Sequence, residues 1–204
     1  MPVTPDTRPR GRPRSERSRT AILAAAMDLL LERGLHAMSM DDVAERAGVS
    51  KATIYRWWPA KELLAVDALV TEWADPAKGS ERDTGTLRGD LLARFRPWMR
   101  QLNHTQFARV IAGLIAEAQT DPAFAALYRE QFVDPRRAAT RQLLVRAVER
   151  GEIPADTNLD LSLDLLYGPI YHRLLHGHAP LSERFAQQVV DAVIAAISSG
   201  GVRK

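Results

Sequence analysis

The amino-acid sequence predicts an all-α protein, and two observations carry that prediction. Apolar residues recur three and four positions apart along most of the chain, which is the spacing of one helix face. Glycines and prolines interrupt these segments where helices end, and neither a strand-like alternation nor a solenoid repeat is recognisable. The length of 204 residues fits one or two domains, each with a core of its own.

The composition excludes several classes of protein. The chain has no cysteine, which excludes disulfide scaffolds, thiolate zinc sites and cysteine nucleophiles. The longest run without a charged residue is the eleven-residue segment 192–202, which is too short to cross a bilayer. The first residues are rich in Arg and Pro and show no apolar segment typical of a secretory signal. We therefore expect a soluble, cytoplasmic protein.

Four helices are predicted in the first part of the chain. Their ranges are 19–33, 39–48, 51–58 and 63–73. Gly34 ends the first helix, and Gly48 ends the second. Ser39-Met40-Asp41-Asp42 has the form of a capping box at the start of the second helix, and Ser50 caps the third. Pro59 breaks the chain before the fourth.

Further helices are predicted beyond a polar loop at residues 75–85. Their ranges are 87–102, 107–115, 121–151, 159–176 and 182–198. Asp121-Pro122 supplies an N-cap and a first-turn proline for the third of these. Pro135 is expected to kink that helix rather than end it, because the apolar pattern continues beyond it. Gly177 and Gly200 end the last two helices.

Positive charge is concentrated at the start of the chain. Residues 1–62 carry eleven Lys and Arg against eight Asp and Glu, whereas residues 63–204 carry seventeen of each. Six of the arginines lie before residue 20, together with only two acidic residues. A basic segment on a neutral body indicates a polyanionic partner, either nucleic acid or an anionic membrane surface, or else a solvated tail.

The segment from Ser39 to Trp58 carries the features that indicate function. Two short helices joined by Ala47-Gly48-Val49-Ser50 predict a tight helix-turn-helix, in which Gly48 takes a left-handed conformation and Ile54 fills the core. The outward residues of the second helix combine hydrogen-bond donors, a methyl group and aromatic rings, which suit base edges and phosphates in a major groove. They are Lys51, Ala52, Thr53, Tyr55, Arg56 and Trp57. The segment therefore predicts DNA binding.

Residues 18–65 resemble the DNA-binding signature of TetR-type transcriptional regulators. The resemblance rests on the run SMDDVAERAGVSKATIYRWWPAKELL at residues 39–64 and on the preceding helix with its stop at Gly34. One departure is Trp57-Trp58, where such proteins usually have His or another polar residue and then Phe; Trp58 is expected to take the core position of that Phe. The resemblance implies an N-terminal three-helix helix-turn-helix domain at 18–65. It also implies a helical effector-binding and dimerisation domain at 66–204.

Matching positions extend the resemblance to single residues. It implies phosphate contacts by Ser39 and Lys61 at helix starts and a backbone contact by the Tyr55 hydroxyl. Lys51, Thr53 and Arg56 would face base edges or adjacent phosphates. Ser50 belongs to the same DNA-binding set, although for Ser39 and Ser50 helix capping alone is the alternative role.

Residues 1–17 form a basic arm rich in Arg and Pro. Its Arg10-Gly11-Arg12-Pro13 sequence resembles the core of an AT-hook, in which proline keeps the backbone extended and arginines enter a narrow A·T-rich minor groove. We therefore include Arg10 and Arg12 among the DNA-binding candidates. The alternative is a disordered tail that adds only unspecific attraction to phosphates.

The remaining two thirds of the chain is expected to contain an effector pocket. Aromatic residues and a histidine on the central helices are the candidates for its lining: Trp98, Phe107, Phe124, Tyr128, Tyr167, Tyr171 and His172. No charged residue clearly belongs to this set. We therefore expect a neutral or weakly polar effector, aromatic or lipophilic in character.

The last helix carries small and branched residues on one side. They are Phe185, Val189, Ala192, Val193 and Ala196. The resemblance implies that this helix and the preceding one form a four-helix seam between two subunits. The alternative is that the helix closes the core of its own subunit.

Neither a metal site nor a catalytic site is predicted. His172 and His176 lie four positions apart near His178, but no acidic residue or cysteine completes a ligand set. Phosphate-binding loops, nucleophile elbows and zinc-binding His pairs are not recognisable. We therefore expect neither an enzyme nor a cofactor.

These observations lead to one hypothesis and one alternative. The hypothesis is a homodimeric, ligand-responsive transcriptional repressor that binds a palindromic DNA operator. The alternative is an architectural DNA-binding protein with a filled core and no small-molecule effector.

Overall fold

The computed structural model describes residues 12–72, 83–103 and 105–203. Within these ranges the chain forms helices and turns and no β-strand, which confirms the predicted all-α class. The chain divides into two compact units, of which the first ends at Glu72. The domain boundary expected after residue 65 lies inside the last helix of the first unit. In the structure the first unit continues to the end of that helix.

In residues 12–72 the first unit forms four helices. They are α1 (Arg12–Ala37), α2 (Met40–Ala47), α3 (Lys51–Tyr55) and α4 (Lys61–Glu72). The break predicted at Gly34 is confirmed, because this residue has φ 77° and ψ 171° within α1. Helix α1 begins at Arg12 rather than at residue 19, and α3 ends at Tyr55 rather than at Trp58.

The core of the first unit lies between α1, α2 and α4. Ile22 and Leu29 of α1 and Leu64 of α4 are almost completely buried. Burial of each such side chain stabilises the fold by about 1.5–3 kcal/mol. The short helix α3 adds Ile54 to this core, and its position therefore depends on the packing of the other helices.

Six α-helices follow in the described residues of the second unit, 83–103 and 105–203. They are α5 (Leu87–Leu102), α6 (Thr105–Thr120), α7 (Pro122–Tyr128), α8 (Asp134–Glu149), α9 (Leu159–His176) and α10 (Glu183–Ser198). One π-helical turn, Arg129–Val133, joins α7 to α8 without a break. The expectation that Pro135 does not end this helical segment is therefore confirmed. Most of the predicted loop at 75–85 lies outside the described residues.

Helix α5 packs against α8 and α10 in the second unit, and α9 packs against the same two helices. Phe95 and Met99 place the apolar side of α5 in the core. The N-cap predicted at Asp121 is confirmed, since its side chain accepts hydrogen bonds from the first turn of α7, and the structure adds Ser182 as the N-cap of α10. Among the helices of the described ranges, none is long and apolar enough to span a membrane.

The second unit also buries a carboxylate completely. Asp90 on α5 accepts hydrogen bonds from Thr84 N–H at 2.7 Å, from Thr84 Oγ1 at 2.8 Å and from Arg150 Nη2 at 3.2 Å. Burial alone would raise the pKa of Asp90, but these hydrogen bonds lower it below its ordinary value. The ionised carboxylate thus joins the start of α5 to the end of α8.

Candidate DNA-binding surface and effector cavity

Helix α2 begins at a reciprocal capping box. Ser39 Oγ accepts a hydrogen bond from Asp42 N–H at 3.2 Å, and the Asp42 carboxylate accepts from Ser39 N–H at 3.3 Å. Ser39 Oγ also donates to this carboxylate at 2.6 Å. The hydrogen bond from the Ser39 side chain lowers the pKa of Asp42, and Arg33 adds to this effect. The predicted capping box is confirmed, and the Ser39 hydroxyl is engaged in it.

The turn between α2 and α3 is fixed by main-chain geometry. Gly48 has φ 65° and ψ 35°, a left-handed conformation that strains any residue with a Cβ. The N–H of Val49 donates to the carbonyl of Ala44 at 3.0 Å and closes the turn. Ser50 Oγ then accepts from the N–H of Thr53 at 3.3 Å and starts α3. The predicted helix-turn-helix is therefore present.

Helix α3 has one buried side and one exposed side. Ile54 is completely buried, and Trp58, just after the helix, is 5% exposed, which confirms that Trp58 fills the core. The exposed residues of this segment are Lys51, Ala52, Tyr55, Arg56 and Trp57. Tyr55 is 49% exposed and Trp57 is 38% exposed, which is unusual for such large side chains and is typical of residues that contact a partner.

The polar groups of this surface differ in whether other residues of the protein already bind them. Lys51 forms an ion pair with Asp41. Thr53 is half-buried, and its hydroxyl lies 2.9 Å from Ser50 Oγ. Arg56 forms neither an ion pair nor a side-chain hydrogen bond with any residue in the described ranges. Arg56 is therefore the cation of α3 that is best placed to meet an anionic partner.

A small network holds Trp58 in place, and the sequence analysis missed it. The Nε1–H of Trp58 donates to Asp67 Oδ2 at 3.0 Å, and Arg19 Nη2 donates to the same oxygen at 2.8 Å. The Arg19 guanidinium also lies 5.8 Å from the Trp58 ring centroid. The network connects the end of the α3 segment to α1 and α4.

The structure gives Lys61 a role other than the expected phosphate contact. Its Nζ donates to the carbonyl oxygens of Leu35 and His36 at 3.2 Å each and of Met38 at 3.4 Å. An ammonium group has three protons, and three acceptors of the protein use them. Lys61 therefore satisfies carbonyls at the end of α1, where the chain leaves the helix.

The basic arm is described only in part. Arg10 lies outside the described residues, and for Arg12 only the backbone is described. Helix α1 starts at Arg12, so the extended backbone expected for Arg12-Pro13 is wrong. The physical reason is that proline is tolerated in the first turn of a helix, where its missing N–H has no partner to lose.

An aromatic cluster forms at the predicted pocket in the second unit. The Trp98 ring centroid lies 5.5 Å from that of Tyr167 and 5.9 Å from that of Tyr171, and Phe95 lies 5.4 Å from Tyr167. Beside these tyrosines is a cavity of about 290 Å³. Its lining residues are Val133, Arg136, Arg137, Asp164, Tyr167, Gly168 and Tyr171. Trp98, Tyr167 and Tyr171 thus come together as predicted.

The cavity contains a buried cation, which the sequence analysis did not predict. Arg136 is 8% exposed, and its guanidinium carbon lies 3.6 Å from the Phe132 ring centroid. Burial lowers the pKa of Arg136 to about 10, so the side chain remains charged at neutral pH. The expectation of a pocket without charged residues is therefore wrong. The sequence signal was the spacing of four from Tyr128 through Phe132 to Arg136, which places all three on one helix side.

Hydrogen bonds behind the cavity fix its wall. Thr140 Oγ1 and the Tyr167 hydroxyl lie 2.8 Å apart, and the Tyr167 hydroxyl donates to the main-chain carbonyl of Arg136 at 3.1 Å. Arg94 on α5 donates to Thr140 Oγ1 at 2.7 Å and to the same carbonyl at 3.1 Å. These contacts join α5, α8 and α9 and hold Arg136 at the cavity.

Five residues predicted for the pocket are not in its lining: Trp98 and Tyr128 lie beside the lining residue Tyr171, and Phe107, Phe124 and His172 lie elsewhere. Phe107 is buried in the core on α6, and Phe124 stacks on Tyr128 with ring centroids 6.3 Å apart. His172 is exposed on α9, because it follows Tyr167 by five positions and points about 140° away around the helix. Its ring lies 4.7 Å from that of His176 and 5.0 Å from that of His178. Within the described residues, no group of three His, Asp or Glu side chains is placed to hold a metal ion.

An apolar groove runs between α9 and α10. It has a volume of about 290 Å³ and is lined by Leu165, Pro169, Phe185, Gln188, Val189, Ala192, Val193 and Ala196. All five residues predicted for the dimer seam are in this lining. Leu161 and Leu165 of α9 are 40% and 38% exposed, and the sequence analysis missed both.

Comparison with known proteins gives the same division of the chain. Residues 22–68 match the family model described as bacterial regulatory proteins, tetR family. Residues 81–193 match the model described as tetracyclin repressor-like, C-terminal domain. The two matches correspond to the two units found in the structure.

Several relatives resemble the chain over nearly its whole length. It is 38% identical to the HTH-type transcriptional regulator YdeS of Bacillus subtilis, with 89% of this chain and 90% of the relative covered. It is 34% identical to the DNA-binding transcriptional repressor TetR of Mycobacteroides abscessus, with 93% and 98% covered. The solved structure of the TetR family transcription regulator SCO0332 is 35% identical, with a TM-score of 0.75 and 88% and 98% covered. The chain, with its helix-turn-helix unit and its helical second unit, belongs to the TetR family of bacterial transcriptional regulators.

Proposed function

We propose that the protein is a ligand-responsive repressor that binds a palindromic DNA operator as a homodimer in the cytoplasm. The observation that carries this proposal is the exposed side of α3. It presents cationic, methyl and aromatic groups on a short helix whose opposite side is anchored in the core. Such a short helix after a tight turn fits a major groove.

Within this proposal the residues of α3, and the two that follow it, contact different parts of the DNA. Arg56 and Lys51 contact base edges or adjacent phosphates, and Ala52 gives apolar contact to a thymine methyl. The Tyr55 hydroxyl donates to a phosphate, and Trp57 packs beside the sugar-phosphate backbone. Thr53 contributes its methyl group, because its hydroxyl bonds to Ser50. Lys61 is left out of this set because its ammonium is used inside the protein.

Homodimerisation is proposed through the groove between α9 and α10. Exposed leucines beside an apolar groove favour burial against another subunit. Two subunits related by a two-fold axis place their α3 helices about one DNA turn apart, which requires a palindromic site. Ala192→Glu introduces a charge at an exposed position of the groove, and we expect sedimentation to give a monomer with weaker operator binding.

The decisive experiment captures genomic DNA fragments with the purified protein and then tests small molecules on the recovered complex. Linkage requires that a true effector both raises the melting temperature of the protein and releases the operator. An operator that is bound but never released by any compound of a broad library would favour the alternative, an architectural DNA-binding protein. Binding to all fragments alike would contradict sequence-specific repression.

A further inference from the structure

The cavity beside Tyr167 and Tyr171 has a chemical character that narrows the class of its ligand. Its wall contains the Arg136 guanidinium, which is charged at neutral pH, together with two phenol rings. The ring cluster of Phe95, Trp98 and Tyr167 lies behind it. A volume of about 290 Å³ is at the small end of ligand pockets, which suits a ligand of one or two rings.

Two buried polar atoms beside the same tyrosines have no hydrogen-bond partner within the described residues. They are Nε1 of Trp98 and the hydroxyl oxygen of Tyr128. Tyr171 affects the pKa of Tyr128, so the two hydroxyls are close to each other. An indole N–H is a donor only, and a buried donor without an acceptor destabilises the folded protein. A ligand that brings acceptor oxygens into this region would satisfy such groups.

The phenols are also donors at physiological pH. Burial raises the pKa of Tyr128 and raises that of Tyr171 to about 12, so both hydroxyls keep their protons. The wall thus offers the Arg136 cation, neutral donors and the ion pair of Arg137 with Asp164, whose two charges offset each other. The Arg136 guanidinium donates to the main-chain carbonyl of Phe132 at 2.7 Å, and its positive charge favours an anionic ligand over a cationic or a neutral one.

We propose that the effector of this protein is a small organic acid, whose carboxylate or equivalent anion binds at Arg136 and Tyr171 and whose flat apolar body lies against the aromatic cluster. This inference rests on the proposed ligand-responsive function and specifies the chemistry of its ligand. Arg136 supplies charge and a planar donor face for the anion, which is the recognition that guanidinium groups provide best. The hydrogen bonds of Thr140 and Tyr167 to the Arg136 backbone keep that donor face in position.

The test uses three matched probes on the full-length dimer: 2-naphthoate, 2-naphthamide and 2-naphthylmethylamine. Calorimetry at pH 7 should give a dissociation constant for the carboxylate that is about ten- to a hundredfold lower than for the amide, since a charged hydrogen bond contributes about 1.5–3 kcal/mol. The amine should bind weakest of the three. Operator release should follow the same order.

Three variants test whether Arg136 and Tyr171 cause the preference for the carboxylate probe. Arg136→Met should remove the preference for the carboxylate over the amide, and Tyr171→Phe should reduce it while it removes only a hydroxyl. Arg141→Met is the matched control, because Arg141 lies on the same helix, pairs with Asp160 and does not line the cavity. Circular dichroism and thermal unfolding check that each variant is folded. If Arg136→Met does not fold, Tyr171→Phe still tests the site.

The outcomes separate this inference from the proposed function. Tighter binding of the amide or the amine than of the carboxylate, with operator release intact, overturns the acid class and leaves the ligand-responsive repressor standing. An unchanged carboxylate preference in Tyr171→Phe and Arg136→Met overturns the assignment of the site. If no probe and no member of a broad fragment library binds, both the inference and the effector part of the proposed function fail.

Discussion

The candidate functional side chains are exposed in the first unit and buried in the second. In the first unit, α3 exposes Tyr55, Arg56 and Trp57 to solvent over a rigid apolar core. In the second unit, Arg136 and Tyr128 are buried among aromatic rings and form or adjoin the cavity wall. A surface for DNA needs groups that reach outward, whereas a site for a small molecule needs groups that are already desolvated. The difference predicts which substitutions affect binding alone and which also affect stability.

The largest effect is expected where the second unit buries charge. Asp90→Ala removes a buried carboxylate that is bonded to Thr84 and Arg150, and it leaves these donors unsatisfied. We expect the free energy of unfolding to fall by about 3–5 kcal/mol in urea titration at neutral pH. Asp191→Ala, which breaks the exposed pair with Arg88, should cost less than about 1 kcal/mol. Equal losses would contradict the contrast between buried and exposed charge.

The pH dependence of the Asp90 effect has a definite sign. The pKa of Asp90 in the folded state lies below its ordinary value, so the carboxylate contributes stability above the unfolded-state pKa of about 3.9. This contribution is lost as the pH falls through the lowered pKa. The difference in stability between the natural protein and Asp90→Ala should therefore shrink in acid. A difference that grows below pH 4 would require another origin for the Asp90 effect.

The second prediction concerns the exposed cation of the first unit. Arg56→Ala should weaken binding to the operator by about 1–3 kcal/mol and binding to random DNA much less, because a lost base contact affects only the specific site. Unfolding should hardly change, since Arg56 has no partner among the residues that the structure describes. Fluorescence anisotropy with both DNAs measures the affinities. Arg109→Ala, an equal change of charge on an exposed position of α6, is the control and should leave both affinities nearly unchanged.

How much of each site could be predicted follows from the same comparison. The capping box at Ser39, the turn at Gly48 and the core residue Ile54 all lie within one short segment, so local rules of helix capping and turns were sufficient. The cavity joins residues from the π-helical turn, α8 and α9, and no local rule indicates which of them meet. Arg136 was missed for this reason, since an arginine on a helix is most often exposed.

Single side chains within the first unit were also beyond local reasoning. Lys61 sits where a phosphate contact was expected, but the carbonyls that it bonds come from the end of α1, far away in sequence. The role of Asp67 as acceptor for both Arg19 and Trp58 likewise depends on the packing of α4 on α1. Backbone-determined features were predictable, and the choice of side-chain partner was not.

The third prediction tests whether Ser39 acts through the helix or through DNA. Ser39→Ala removes the hydroxyl that accepts from Asp42 N–H and donates to the Asp42 carboxylate, and it keeps the backbone N–H of residue 39; it should destabilise the protein by about 1 kcal/mol in thermal or urea unfolding. Ser39→Asn keeps an N-cap acceptor and should restore most of that stability. If both variants bind the operator equally after correction for the folded fraction, Ser39 acts only as a cap. A loss of affinity in Ser39→Asn at full stability would indicate a phosphate contact by the hydroxyl.

The smallest effect is expected from the basic arm, which extends the surface site of the first unit. Deletion of residues 1–11 removes Arg8 and Arg10 and leaves α1 from Arg12 onward. If these arginines only attract phosphates, all DNA is bound more weakly, and the slope of affinity against salt decreases by about 0.9 for each lost contact. If Arg10 enters a minor groove, the loss is greater where A·T pairs flank the half-sites, because a narrow groove deepens the negative potential.

We expect a loss of roughly threefold on A·T-rich flanks and a smaller one on G·C-rich flanks, which is less than 1 kcal/mol in either case. Arg10→Lys separates the two mechanisms within the full chain, because lysine keeps the charge but inserts less favourably into a narrow groove. Affinity of the natural chain, the deletion and Arg10→Lys is measured on two operators that differ only in their flanks. If the affinity of each variant relative to the natural chain is the same on both operators, the arm contributes only unspecific attraction between charges. Sequence-specific recognition of DNA would then depend on α3 and the residues that follow it, and not on the arm.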